Sequence, residues 1–209
     1  MAENDSEVTQ TDSQTESAVT PAASNDSRYV STTRGVQGGY LFVAPVGTTL
    51  PTDYSSTLAA EFVNAGYIGE DGFTEGTDSD SSDFKDINGD IVDSSSAGTS
   101  ETLVLKLLNM DAPALKVQYG SANVTSDATK GLEVKHRWSK ANDTWSCVLE
   151  LVLKDGRRWR KVIPSGKVTE LGEFTGSSSE LAGREVTLTY ITDSDGVGCF
   201  DYIAPVASN

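Results

Sequence analysis

The chain has 209 residues, with 31 acids against 16 Lys and Arg and a net charge of −15, enough length for one domain with a substantial core. That charge excludes ordinary recognition of a nucleic-acid backbone, which needs clustered cations to displace counterions. No stretch is long and apolar enough to be read as a membrane span. The two cysteines, Cys147 and Cys199, lie far apart in apolar or aromatic surroundings and read as reduced thiols rather than a disulfide framework or metal knuckle.

The first 27 residues carry Glu3, Asp5, Glu7, Asp12, Glu16 and Asp26, no Lys or Arg, and otherwise mostly Ser, Thr, Ala, Asn and Gln. Such a segment buries too little to offset the entropy of ordering, so residues 1–30 are expected to form an acidic disordered arm ahead of a β-domain over 31–209. The opening has neither a basic start nor an apolar core, so no secretory signal is expected, and the chain is read as soluble and made in a cytoplasm.

Tyr40-Leu41-Phe42-Val43 reads as a buried strand, stopped by Ala44-Pro45-Val46-Gly47 because proline cannot donate to a sheet ladder. An extended loop is expected over Thr48–Asp53. Two turns of weak helix follow from Ser55 to Asn64, with Leu58 and Phe62 on one face, and extended structure restarts at Gly66-Tyr67-Ile68. From Gly72 to Ser100 the composition is Ser, Asp, Gly and Thr, with Phe73, Phe84, Ile87, Ile91 and Val92 as apolar anchors, which predicts a long loop ordered on a neighbour. Thr102–Leu108 is a strand that feeds directly into a short helix. Asp111 caps that helix, Pro113 fits its first turn, Leu115 and Tyr119 share a face, and Gly120 ends it.

Leu132–Trp138, Trp145–Leu153, Trp159–Ile163, Glu185–Ile191 and Cys199–Ile203 complete the strand candidates. Asp155-Gly156 predicts a type I′ hairpin turn in which Lys154 faces Arg157, Val152 faces Trp159, Glu150 faces Lys161 and Leu149 faces Val162. Arg157, Arg158 and Arg160 make the return strand too basic for a core strand, which leaves an edge protected against aggregation or an intersubunit surface. Glu173–Gly183 is read as a polar loop, and Asp193-Ser-Asp195-Gly196 as a turn between the last two strands.

Charge is uneven: Gly69–Asp93 holds nine acids against Lys85 alone, while Lys130–Glu170 holds ten basic residues against five acids. Either these are two solvated surfaces, or one subunit's basic edge meets its neighbour's acidic segment.

No motif carries catalysis. Asp86-Ile-Asn88-Gly89-Asp90-Ile-Val-Asp93 alternates oxygen ligands, but its glycine is fourth and Ala97 stands where a calcium loop needs its bidentate acid. The single histidine, His136, sits between Lys135 and Arg137 in a segment read as a strand, and Ser165-Gly166-Lys167 lacks the upstream glycine of a phosphate loop. No catalytic residue, cofactor site or metal site is assigned, and no enzyme is expected. N-x-S/T sequences at Asn4, Asn25, Asn123 and Asn142 are compositional accidents without a secretory start.

The block Gly39–Gly72, an apolar strand, then A-P-x-G-T-x-L-P-T, a short run and G-Y-I-x-E-D-G, resembles the opening of the major tail proteins (tail tube proteins) of long, non-contractile-tailed phages of siphophage type. The strand-to-helix block ending in Tyr119-Gly120, with Asn123-Val124-Thr125, resembles the same family, and the likeness spans roughly residues 36 to 205. It implies a mainly β fold, a β-sandwich or half-barrel flanked by one short α-helix with long loops. It further implies hexameric rings that stack into a tube in the virion tail, assembled in the host bacterial cytoplasm and conducting genomic DNA during ejection through a lumen whose acids keep DNA from sticking. Partners implied are further copies of the chain, a tape measure protein and a tail terminator or distal tail protein.

On this reading Phe73, Phe84, Ile87, Ile91, Val92, Arg157, Arg158 and Arg160 are candidate subunit contacts. Glu70, Asp71, Asp193 and Asp195 are candidates for the lumen. The alternative is a monomeric β-sandwich binding module, a surface adhesin or carbohydrate binder, with Trp138, Trp145 and Trp159 supplying an exposed aromatic face.

Overall fold

The computed structural model describes residues 26–137 and 143–206. The chain divides after Val30. Asp26–Val30 hold one 3-10 turn over Ser27–Tyr29, with the Asp26 carboxylate accepting from the Arg28 N–H at 2.9 Å.

From Ser31 onward the elements are mainly strands: β1 (Thr33–Gly35), β2 (Leu41–Pro45), β3 (Val63–Asn64), β4 (Ile68–Lys85), β5 (Ile91–Leu107), α1 (Ala112–Tyr119), β6 (Val124–Asp127), β7 (Gly131–Val134), β8 (Thr144–Leu153), β9 (Arg158–Thr175), β10 (Gly183–Tyr190) and β11 (Phe200–Ile203). The main sheet runs β3-β2-β8-β9-β10-β5-β4, with β1 added to β8 and β11 added to β9, and β6 and β7 form a separate hairpin. β10 and β11 lie in series along β9, on its Gly166–Thr175 and Trp159–Val162 stretches respectively.

The sheet curls on itself around one core. Leu41, Val43, Cys147, Leu149, Leu151 and Ile163 on one side pack with Leu103, Leu105, Leu107, Val186 and Leu188 on the other. Alternation along the strands puts these residues on one face. The curl brings β4 back over β9 although β10 and β5 separate them in strand order: the Phe73 and Trp159 rings meet edge to face at 6.0 Å. This is the sandwich or half-barrel expected from the sequence. The opposite face of β2, β8 and β9 carries Ala44, Val148 and Val162, covered by Phe62, Leu50 and Leu58 from the segment after β2.

That segment is not the weak helix expected over Ser55–Asn64. It forms turns and then β3. Asp53 takes the Ser55 and Ser56 N–H groups, at 2.5 and 2.6 Å, and the Asp53 and Ser56 carbonyls accept from Arg160 at 2.7 and 2.9 Å. Arg160 thus occupies the Asp53 and Ser56 carbonyls that a helix would offer to N–H groups four residues on, while Leu58 and Phe62 still reach the core.

The helix Ala112–Tyr119 forms as the sequence indicates. Asp111 Oδ1 accepts from the Ala114 N–H at 3.1 Å, and Gly120 closes the end at φ 88°. Its Leu115 and Tyr119 pack with Val124 and Val134 of the β6–β7 hairpin, while Val117 joins the main core. His136 lies beyond β7 rather than within a strand, its ring 4.7 Å from that of Tyr119.

Two further expectations are corrected. Gly72–Ser100 is not a loop: β4 and β5 pair from Phe73↔Leu105 out to Lys85↔Ile91. Ser and Thr alternate with acids there, so neither face carries the apolar stripe that marks a strand, yet backbone pairing needs no such stripe. The β8–β9 turn is also one residue off the predicted register. Gly156 N donates to Leu153 O and Leu153 N to Arg157 O, enclosing a three-residue turn. Glu150 therefore faces Arg160, and Leu151 faces Trp159. Only Gly156 has positive φ, at 89°, whereas a type I′ turn would also need Asp155 there. Asp155 instead accepts from the Arg157 N–H at 3.1 Å.

Candidate functional site

Apart from Phe73, the sequence-predicted site residues fall into four places. The largest is the outer part of the β4–β5 hairpin. β10 covers β5 only over Thr102–Leu107, so beyond Gly76↔Thr102 the two arms pair with each other and with no other strand among the described residues. From Thr77 to Lys85 the arm projects roughly 30 Å at an ordinary strand rise. Its tip turn is built on Asp86, whose carboxylate accepts from the N–H groups of Asn88 and Asp90 at 2.8 and 2.9 Å. Those bonds, the Asp90 one foremost, hold the Asp86 carboxyl below the usual range.

Four of the predicted contacts gather at this tip: Phe84, Ile87, Ile91 and Val92, with 53 to 100% of their surface exposed. Along the arm stand Asp78, Asp80, Asp83, Asp86, Asp90 and Asp93, with Lys85 as the counter-charge. The arm is thus an acidic ribbon with an apolar end. Phe73 does not belong to it, being half-buried at the hairpin root against Trp159.

The basic trio is divided. β9 is not the edge strand expected of it, since β8 lies on one side and β10 and β11 on the other. Arg160 is 3% exposed, and its Nε donates to Glu150 Oε1 at 2.7 Å. Buried charges persist when they are paired and hydrogen-bonded, and Arg160 has Glu150 on one side and the Asp53 and Ser56 carbonyls on the other. It fastens the segment after β2 to the sheet. Arg158 is part-exposed and also reaches Glu150, at 3.4 Å, while Arg157 bonds Asp155 beside the turn.

The four acids proposed for the lumen occupy two sites. Glu70 and Asp71 lie on a bulge of β4 between Ile68↔Leu107 and Phe73↔Leu105. Asp193 and Asp195 lie in the turn after β10, where Asp193 accepts from the Asp195 and Val197 N–H groups, both at 2.9 Å. A Cβ on nearby Gly198 would stand 3.1 Å from Glu101 Oε2, which places that turn where the arm leaves the sheet. The two acidic sites are thus about 15–20 Å apart along β5.

A fifth place has no counterpart in the sequence reading. Lys161, 1% exposed, lies at the hairpin root, and its Nζ contacts Glu75 at 2.9 and 3.0 Å and Asp201 at 2.9 Å. Burial lowers the ammonium's affinity for its proton, but the bonds to Asp201 and Glu75 prevail and hold its pKa above the ordinary value. Tyr190 donates to Glu75 Oε1 at 2.7 Å and Trp159 Nε1 to Asp201 Oδ1 at 2.6 Å. No motif marks this group, because its members come from β4, β9, β10 and β11.

The aromatic face of the alternative reading does not form from Trp145 and Trp159. Trp145 is in the core and Trp159 is bonded to Asp201; Trp138 lies outside the described residues. Cys147 and Cys199 are both free thiols, and burial pushes each up to about 12. Among the described residues no group of His, Cys, Asp and Glu is arranged to hold a metal ion, and no helix is long and apolar enough to cross a membrane.

A curled, mainly β sheet with one short helix and a projecting ribbon defines a structural module. A family model for the phage tail tube protein matches residues 22–207, and the chain belongs to that family. It is a structural protein of the phage tail and not an enzyme. A search of curated proteins finds no match. Among solved structures 13 chains match. One is described as the cryo-EM structure of the anti-feeding prophage cap (AFP tube terminating cap), at 12% identity and a TM-score of 0.40, covering 90% of this chain and 99% of that one.

Proposed function

We propose that copies of this chain form hexameric rings that stack into the tube of a long, non-contractile tail, and that the tube conducts the genome during ejection. The observation that carries this reading, beside family membership, is the β4–β5 arm. A lone two-stranded ribbon is marginal in water, and this one ends in exposed Phe84, Ile87, Ile91 and Val92. A neighbouring copy is the natural cover for that tip, and Arg158, which keeps 44% of its side-chain surface, is the member of the basic trio most open to the arm's acids. Edge strands β4 and β11 are available to pair between subunits, which would remove free edges.

Glu70 and Asp71, or Asp193 and Asp195, supply acids for the lumen, where like charge lets DNA pass without adhering. A tape measure protein, a terminator and a distal tail protein are the partners that this architecture requires. The acidic arm expected over 1–30 lies outside the described residues up to position 25, and its role in the tube is part of the same proposal. Assembly in the host bacterial cytoplasm is part of the same proposal.

Negative-stain electron microscopy of the purified chain tests it. Rings or tubes with a central channel support the reading, and Phe84→Ala with Ile91→Ala should abolish them while leaving a folded monomer. Undiminished tube yield from that double variant would sink the arm's role.

A further inference from the structure

Lys161 and Asp201 stand directly opposite each other on neighbouring strands β9 and β11. Lys161 Nζ lies 2.9 Å from Asp201 Oδ2 and within 3.0 Å of both Glu75 oxygens, and the lysine side chain keeps 2% of its surface. Trp159 Nε1 donates to the other Asp201 oxygen, Oδ1, at 2.6 Å. Aromatic rings flank the ammonium: Trp159 with its centroid 5.8 Å from Nζ, Phe73 on the edge of Trp159, and Tyr190 through its hydroxyl to Glu75. A structural ion pair needs one carboxylate. This site adds a second carboxylate on the ammonium and a donor aimed at the oxygen that would gain charge if Nζ attacked the Asp201 carbonyl carbon.

We propose that Lys161 and Asp201 become joined by an intramolecular isopeptide bond, with Glu75 carrying the protons. The ammonium passes one proton to Glu75, and the free amine attacks Asp201 Cγ, forming the C–N bond. Charge develops on Oδ1, where the Trp159 N–H meets it. Glu75 delivers its proton to Oδ2, takes a second from the nitrogen and delivers that too; the Cγ–Oδ2 bond then breaks and Oδ2 departs as water. One ammonium and one carboxylate become one amide and one water, with no oxidant or other reactant consumed.

Amide formation in water is unfavourable for separate reactants, but groups held in reacting geometry behave as if at effective concentrations on the order of 10⁵ M or more. The product also replaces the Lys161 ammonium and the Asp201 carboxylate by one neutral amide. Cys199 Sγ, 3.7 Å from Nζ, does not compete, because burial keeps it a thiol. Glu75 and Asp201 retain 35 and 42% of their side-chain surface, so covering this face with another protein surface excludes water and speeds the reaction.

Mass spectrometry of the full chain reads the outcome, both freshly purified and after incubation at high concentration. Formation of the bond lowers the mass by about 18 Da, one water. Trypsin should then yield one species joining Lys161–Lys167 to the Glu185–Asn209 peptide. Asp201→Ala and Lys161→Arg should show the full sequence mass, and Glu75→Gln should show slowed or absent loss, with folding of each checked by circular dichroism. Wild-type protein at its full sequence mass in both preparations overturns the proposal, as does an unlinked peptide pair or a loss that persists in Asp201→Ala.

Discussion

The root and the arm of the β4–β5 hairpin are the same two strands in different surroundings. At the root, Leu103, Leu105 and Leu107 of β5 are buried against β10 and the curled sheet. Beyond Thr102 the ladder continues with no further strand beside it among the described residues, and its apolar residues are exposed. The backbone pairing is alike in both halves, so the difference lies in the side chains. Apolar alternation gives the root a core to join, whereas the Ser- and Asp-rich arm joins no core cluster among the described residues. One half holds the fold and the other half is free for a neighbour.

That contrast can be broken first at the root. Leu105→Ala should cost about 2–5 kcal/mol in urea denaturation, the range for a buried leucine that leaves a cavity. Removing Glu150 as Glu150→Ala strands buried Arg160 and should cost about 3–5 kcal/mol, with the segment around Asp53–Ser56 released to proteolysis. A loss under about 1 kcal/mol would mean that Arg160 finds another partner. Asp111→Ala removes the cap of α1 and should cost about 1 kcal/mol by the same measurement.

At the arm the expectation reverses. Phe84→Ala with Ile91→Ala should change folding stability by no more than about 0.5 kcal/mol, as for exposed sites, while tube formation is lost. A large loss of stability would show that the tip packs on its own chain. The smallest effect is on pH. The Asp86 carboxyl is depressed by the Asp90 and Asn88 N–H groups, so its contribution is present above its ordinary 3.8 and lost as pH falls through the lower folded value. The protection factors of the Asn88 and Asp90 amides, each corrected for the intrinsic exchange rate at that pH, should therefore fall below that range while those of the β5 root amides hold.

Much of the inner structure was legible because its residues announce their roles locally. Leu41–Val43, Trp145–Leu153 and Glu185–Tyr190 alternate or cluster as strands do, and Asp111, Pro113 and Gly120 mark both ends of α1. The Phe84–Val92 anchors were visible as apolar residues in a polar stretch. That they stand at the end of a hairpin was not, because the pairing of Ser- and Asp-rich arms leaves no periodic signature. The register of β8 against β9 was missed by one residue because two turn types share Asp-Gly. That slip hid Arg160 and Lys161, which look like surface charges in sequence and are buried in the fold.

The class of fold, the helix, the composition of the acidic ribbon and the family resemblance are therefore all readable from the chain. These rest on local propensity, caps and short motifs, which neighbours along the chain specify. The tertiary structure decided which charges are inside. Glu75, Lys161, Tyr190 and Asp201 come from four strands, and Arg160 reaches Asp53 across 107 positions of sequence. Desolvation and pairing set the role of such groups, and both depend on who faces whom once the sheet has curled.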